Sequence, residues 1–322
     1  MSGTKNIDKE ASMEIEIKSN NLCFNIKYTK TGVIGDLADR IDDVIEWLKN
    51  KDIKVDVSRY SRYKQYILDF SANSEKNKGK ILFMSDLESM FDKSSEAIRE
   101  IYQIVAVFDA FKNEESKIFD EKLKKIIVGK DFYEGDENDT GRDFLYELFI
   151  AAWYKRKGFD IVFESEILTD VIARNENSDV YIECKRLKSS NGYEANYKKG
   201  CKQLRKVKNK DAIKLVYIDI YNCLKKHLIP FEYSNFLDIE QYVKQCVNIE
   251  FKKNNAHITN RILKDYNGIV DGVVFTAVGV FGVNNSDGIE SDIYVGSDVI
   301  IDCSVSDERF DLIKKALGIV NN

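Results

Sequence analysis

Between residues 141 and 302 the apolar positions change period several times, and the elements can be read from those changes. Phe144, Leu148 and Ala151 recur at helical spacing inside the run from Phe144 to Trp153. A helix is therefore predicted over Arg142–Lys157, with Gly158 as its natural stop. Shorter runs with strand character follow at Asp160–Glu164, Asp170–Arg174 and Val180–Arg186. A helix over Glu194–Lys208 and an apolar strand over Ile213–Ile220 come next. A long helical stretch at Ile239–Tyr266 precedes strands at Gly272–Val283 and Asp292–Asp302. Helices alternating with strands predict an α/β fold with a central sheet.

The first 130 residues read differently. A polar start over residues 1–12 leads to a hairpin, Glu14–Lys18 and Leu22–Tyr28, turned at Ser19-Asn20-Asn21. Leu37, Ile41, Val44 and Leu48 recur at three and four within a helix predicted over Gly35–Lys49. Further helices are expected at Ser85–Phe111 and Glu115–Ile127. Residues 129–141 are acidic and punctuated by glycine, which reads as a linker or exposed loop. The division expected is a mainly helical accessory region over residues 1–130, with a short β-hairpin, and a second domain over 131–322. Nothing in the first region carries chemistry of its own. A role in pairing with a second copy or a partner protein is the expectation for it.

Composition narrows the function. The net charge of -5 is no signature of a nucleic-acid coat protein, so any polyanion site must be a local patch. The 6 cysteines contain no C-x-x-C pair and read as reduced thiols of a cytoplasmic protein. With only 2 histidines, His227 and His257, a zinc site of Cys and His clusters is disfavoured, and both are expected at the surface or in loops. No apolar run reaches the roughly 20 residues that span a bilayer, so no membrane is expected.

The strand Val180-Tyr181-Ile182-Glu183-Cys184-Lys185 holds the chemistry. Alternation turns Val180, Ile182 and Cys184 to one face, toward the core, and Tyr181, Glu183 and Lys185 to the other. A hairpin turned at Asn177-Ser178, or over Glu176–Asp179, sets Asp170 opposite Lys185 and Ile172 opposite Glu183. Asp179 shares that face but lies four residues from Glu183, roughly 13 Å at about 3.3 Å per residue. Glu147 sits on the apolar stripe of its helix, where a carboxylate needs a metal or a partner. A salt bridge, to Arg142 for instance, is the competing explanation. Asp170, Glu183 and Glu147 together would repel one another, and a divalent ion held by carboxylate oxygens removes that conflict.

In this order the set resembles the PD-(D/E)xK motif of restriction-endonuclease-like nucleases. Asp170 precedes Glu183-Cys184-Lys185 on the next strand, Glu147 lies on the preceding helix, and Gln203 lies on the following one. The resemblance covers about residues 141–222, and Thr169 stands where the motif has proline. It implies a restriction-endonuclease-like mixed sheet flanked by helices. It also implies a nuclease using Mg²⁺ or Mn²⁺ on phosphodiesters, with DNA as the substrate of most such enzymes. Glu147, Asp170 and Glu183 would hold the metal, Lys185 would stabilise charge, and Gln203 would orient a ligand or the lysine. Defence against foreign DNA, repair and mobile elements are the settings it suggests.

The segment from Lys185 to Lys214 supports a polyanion partner, with 11 Lys or Arg against Glu194 and Asp211. Arg186, Lys188, Lys199, Lys202, Arg205 and Lys206 are its expected phosphate contacts, and Tyr193 and Tyr197 could stack on bases. Two rival readings stand beside the DNA nuclease: a non-cutting nucleic-acid-binding or assembly module of the same fold, and a nuclease acting on RNA.

Overall fold

The computed structural model describes residues 22–24, 33–76, 84–132, 139–164, 169–224, 245–285, 288–302 and 304–319. The helices between β1 and β2 are α1 (Val33–Asn50), α2 (Arg59–Lys76), α3 (Met84–Phe111), α4 (Lys117–Ile126) and α5 (Thr140–Arg156). The strands are β1 (Leu22–Phe24), β2 (Asp160–Ile161), β3 (Val171–Arg174), β4 (Asp179–Arg186), β5 (Ile213–Asp219), β6 (Gly272–Asn285) and β7 (Gly288–Ile301). They form one mixed sheet in the order β1-β7-β6-β5-β4-β3-β2. β4, β5 and β6 run parallel, and the remaining pairings are antiparallel. Helix α6 (Tyr193–Leu204) makes the crossover from β4 to β5 that a parallel pair requires. The expected helix before Gly158 and strand after it are present. Lys157 caps α5 and Gly158 takes a left-handed φ of 84°, which a glycine adopts without strain.

Alternation along the parallel strands divides the core in two. Val180, Ile182, Cys184, Leu215 and Tyr217 face α5 and the helices before it. Val216, Ile218, Val273 and Phe275 face α6, a short α7 (Tyr221–Leu224), a π-helical segment (Cys246–Lys253) and α8 (Ala256–Asp265). Of the long helix expected over Ile239–Tyr266, residues 239–244 lie outside the described residues, and the rest is broken into two segments. The Asn255 side chain donates to the Phe251 carbonyl at 2.9 Å, ending one segment where α8 begins. Helix α9 (Asp307–Leu317), capped by Ser306, is the last element among the described residues.

One helix of the first 130 residues was not expected. Helix α2 was not anticipated, because its buried positions are tyrosines. Tyr60, Tyr63 and Ile67 recur at three and four and are fully buried. The N-terminal helices pack onto α5 and the sheet. Leu37, Ile41, Val44, Ile98, Ile101 and Leu123 share one continuous core with α5 and the sheet. Buried charge ties the same elements together. Glu100 of α3 accepts from Arg59 Nε of α2 at 2.7 Å and from Arg142 Nε of α5. Arg59 also donates to the Val128 carbonyl at 2.7 Å, and Arg142 to the Asp131 carbonyl at 2.8 Å. Of the predicted hairpin, Leu22–Phe24 pairs with β7, and Glu14–Lys18 lies outside the described residues. Among the described residues, no helix is long and apolar enough to cross a membrane.

Candidate active site

The site begins with a turn. Asn175 Oδ1 accepts from the Asn177 and Ser178 amides, each at 2.9 Å, and from Ser178 Oγ at 3.3 Å. That side chain takes the backbone donors of a four-residue loop and sets Arg174 opposite Asp179. Ile172 therefore faces Tyr181, a register two residues from the one expected. A two-residue shift preserves the face, so Asp170 stays on the side of Glu183 and Lys185. One step further along the same register, Asp170 lies across from Glu183 rather than from Lys185.

Asp170, Glu183 and Lys185 converge. Lys185 Nζ lies 2.8 Å from Glu183 Oε2 and 3.2 Å from Asp170 Oδ2. It also donates to the Cys184 carbonyl at 3.0 Å. The Cys184 amide donates to Asp170 Oδ2 at 2.8 Å. This cluster lies at the carboxyl end of β4, where open α/β sheets place their ligands. Glu183 is fully buried, and its Oε1 has no hydrogen-bond partner. Burial and the neighbouring Asp170 push its carboxyl up to about 8, against the pull of Lys185. Burial acts downward on Lys185, but Asp170 and Glu183 outweigh it and hold the ammonium up at about 12.

Glu147 reaches the cluster indirectly. Its Oε2 lies 2.9 Å from Lys122 Nζ, and the same ammonium donates to the Asp170 carbonyl at 3.0 Å. Glu147, expected as a metal ligand, has the salt bridge of the competing explanation, but with Lys122 and not with an arginine; Arg142 pairs with Glu100 and Asp139. Burial raises the Glu147 carboxyl to about 7, with Lys122 opposing. Among the described residues no group of three or more His, Cys, Asp or Glu is placed to share a metal. The carboxylates brought together are Asp170 and Glu183.

Helix α6 covers Glu183 closely because residue 200 is glycine. A Cβ built there would lie 2.9 Å from Val216 Cγ1 and 3.5 Å from Glu183 Cβ. Gln203 is one turn further on the same face, and its Oε1 is buried without a partner. Gly200→Ala is expected to lower stability by about 1–3 kcal/mol, the usual penalty for overpacking a filled core. A urea midpoint unchanged from the parent would show that the helix can give way.

The other predicted residues divide. Lys188, Lys199, Lys202, Arg205 and Lys206 are exposed. Arg205 and Lys206 lie five and six residues past Gly200, about 8–9 Å further from the site at 1.5 Å per residue. Arg186 is not a free phosphate ligand. Its register partner on β5 is Asp219, whose carboxylate it meets at 3.4 Å, and it reaches Asp143 at 3.4 Å. Tyr193 and Tyr197 are fully buried and stack on each other at 5.8 Å, so they cannot receive bases. They occupy the inner face of α6, opposite its lysines. Asp179 pairs with Arg174 at the far end of β4, as its distance required. Cys184 faces the core as expected, and His257 is exposed on α8. Residue 227 lies outside the described residues.

No family model, curated protein or solved structure matches this chain. The site therefore rests on its own geometry. Lys122 was missing from the sequence reading, although a signal for its neighbourhood existed. Phe119, Leu123 and Ile126 bury one face of α4, and Ser116 caps it. Nothing local tells which helix the flank of that face will meet.

Proposed function

We propose that the chain is a metal-dependent nuclease of the PD-(D/E)xK type, acting on phosphodiester bonds, with DNA as its substrate. One observation carries the reading. An aspartate, a fully buried glutamate and a lysine meet at a sheet's carboxyl end, and one glutamate oxygen is unpartnered. A buried carboxylate oxygen with no donor is costly for structure alone. Supplied with a cation, the same oxygen becomes a ligand, and a set made of carboxylate oxygens suits Mg²⁺ or Mn²⁺.

Asp170 and Glu183 would hold the ion. When bound, it would polarise a water for attack and offset charge on the phosphate. The remaining work falls to the chain. The Cys184 amide fixes the Asp170 carboxylate through Oδ2. Lys185 stays protonated and places its ammonium where negative charge develops on the phosphate. Gln203 orients a ligand or the lysine from α6. The exposed lysines and arginine of that helix attract the polyanion. The free thiols at Cys184, Cys201, Cys223 and Cys246 suit a reducing compartment, and we place the protein in the cytoplasm.

Binding of the ion can be tested without turnover. Mn²⁺ at one hundred times its dissociation constant should stabilise the native state by about 2.7 kcal/mol, which a thermal melt reads as several degrees. Asp170→Ala should abolish the shift. A parent protein that melts at the same temperature in EDTA and in millimolar Mn²⁺ would contradict the proposed function.

A further inference from the structure

Resting on that reading, we infer that Lys122 fills the place of a second cation. The site would then take a single divalent ion, between Asp170 and Glu183, and Glu147 would be the partner of Lys122 rather than a metal ligand. The ammonium lies 2.9 Å from Glu147 Oε2 and 3.0 Å from the Asp170 carbonyl. An ion shared by the Glu147 carboxylate and the Asp170 backbone carbonyl would need both oxygens at about 2.1 Å, and the ammonium stands between those two oxygens. A metal there would have to expel it, exchanging one cation for another.

Lys122 is held in that position. Phe119, Leu123 and Ile126 seat α4 in the core, and the Lys122 amine sits on the flank of that face toward α5. The pair is mostly shielded, with Lys122 and Glu147 side chains 18% and 13% exposed. Little solvent screening weakens it, and breaking it would strand a buried charge. On the other side of Asp170 the Lys185 ammonium meets Asp170 Oδ2 at 3.2 Å and Glu183 Oε2 at 2.8 Å, so an ion held there must use the remaining oxygens. Glu183 keeps an oxygen with no partner, so an ion entering there meets a ready ligand. A fixed positive charge beside Asp170 thus divides the acidic cluster into a site for metal and a site already neutralised.

The experiment counts ions on the full chain. Mn²⁺ would be titrated and bound ion followed by electron paramagnetic resonance and calorimetry. The parent should bind one Mn²⁺. Glu147→Gln should still bind one, with an affinity within about tenfold of the parent, since a neighbouring charge is being changed and not a ligand. Lys122→Met should bind two, and Lys122→Met/Glu147→Gln should return to one. If Lys122→Met loses its circular-dichroism signature of folding, Glu147→Gln decides alone. Two ions on the parent, one of them lost in Glu147→Gln, would overturn the inference and leave the nuclease reading standing. No ion on the parent would overturn both.

Discussion

Lys185→Ala should lower phosphodiester cleavage by about a hundredfold or more while leaving DNA affinity nearly intact. A single preorganised donor facing charge that develops in the transition state is worth roughly 3 kcal/mol. On the proposed reading Lys185 is such a donor; Asp170 and Glu183 hold its ammonium at 3.2 and 2.8 Å. It is also 1 of 11 cationic residues in its segment, so its loss removes a small part of the phosphate attraction. Replacing Lys199, Lys202, Arg205 and Lys206 together should do the reverse. Binding should weaken with a reduced salt slope, and single-turnover cleavage at saturating DNA should change much less. All four are exposed, so the variant should fold.

Glu100→Ala should destabilise the protein by about 3–5 kcal/mol, a large part of the roughly 5–15 kcal/mol typical of a folded domain. Glu100 is fully buried, and Arg59 and Arg142 both bind it. Removing it leaves two buried guanidiniums facing each other. Burial alone would raise its carboxyl, but Arg59, Arg142 and Arg99 overcome that and hold it down at about 2. The sign follows from linkage: a depressed carboxylate stabilises the fold above its ordinary value of about 4.3. That contribution is lost as the pH falls from about 4.3 through 2. Urea unfolding at pH 7 and at pH 3 should therefore differ less in the variant than in the parent. Equal midpoints for variant and parent at pH 7 would mean that the triad contributes nothing net.

Much of the site was legible because it depends on alternation. Period two turned Glu183 and Lys185 to the face opposite Val180, Ile182 and Cys184, whatever the exact register. The register itself was missed by two residues because the Asn175 side chain, rather than a simple dipeptide turn, closes the hairpin. Tyr193 and Tyr197 misled for another reason. An aromatic between lysines looks like a stacking platform, but helical spacing turns those two rings inward and the lysines outward. Arg186 looked free because its partner, Asp219, comes from a strand that is neighbouring in space and distant in sequence. The same blindness to long-range pairing hid Lys122. A lysine on the flank of α4 gives no local sign that it will meet Glu147 across the junction of two proposed domains. That junction is where sequence was least informative. The acidic, glycine-marked loop suggested a boundary, and Arg59, Glu100 and Arg142 bind across it.

The central claim is that Asp170, Glu183 and Lys185 cut a phosphodiester with the help of a divalent ion. Incubation of supercoiled plasmid DNA with the parent and with Lys185→Ala, each in Mg²⁺ and in EDTA, tests it most directly. The account predicts nicked or linear product from the parent in Mg²⁺, none in EDTA, and a rate at least about a hundredfold lower for the variant. Equal cleavage by parent and variant, or cleavage that persists in EDTA, would contradict it.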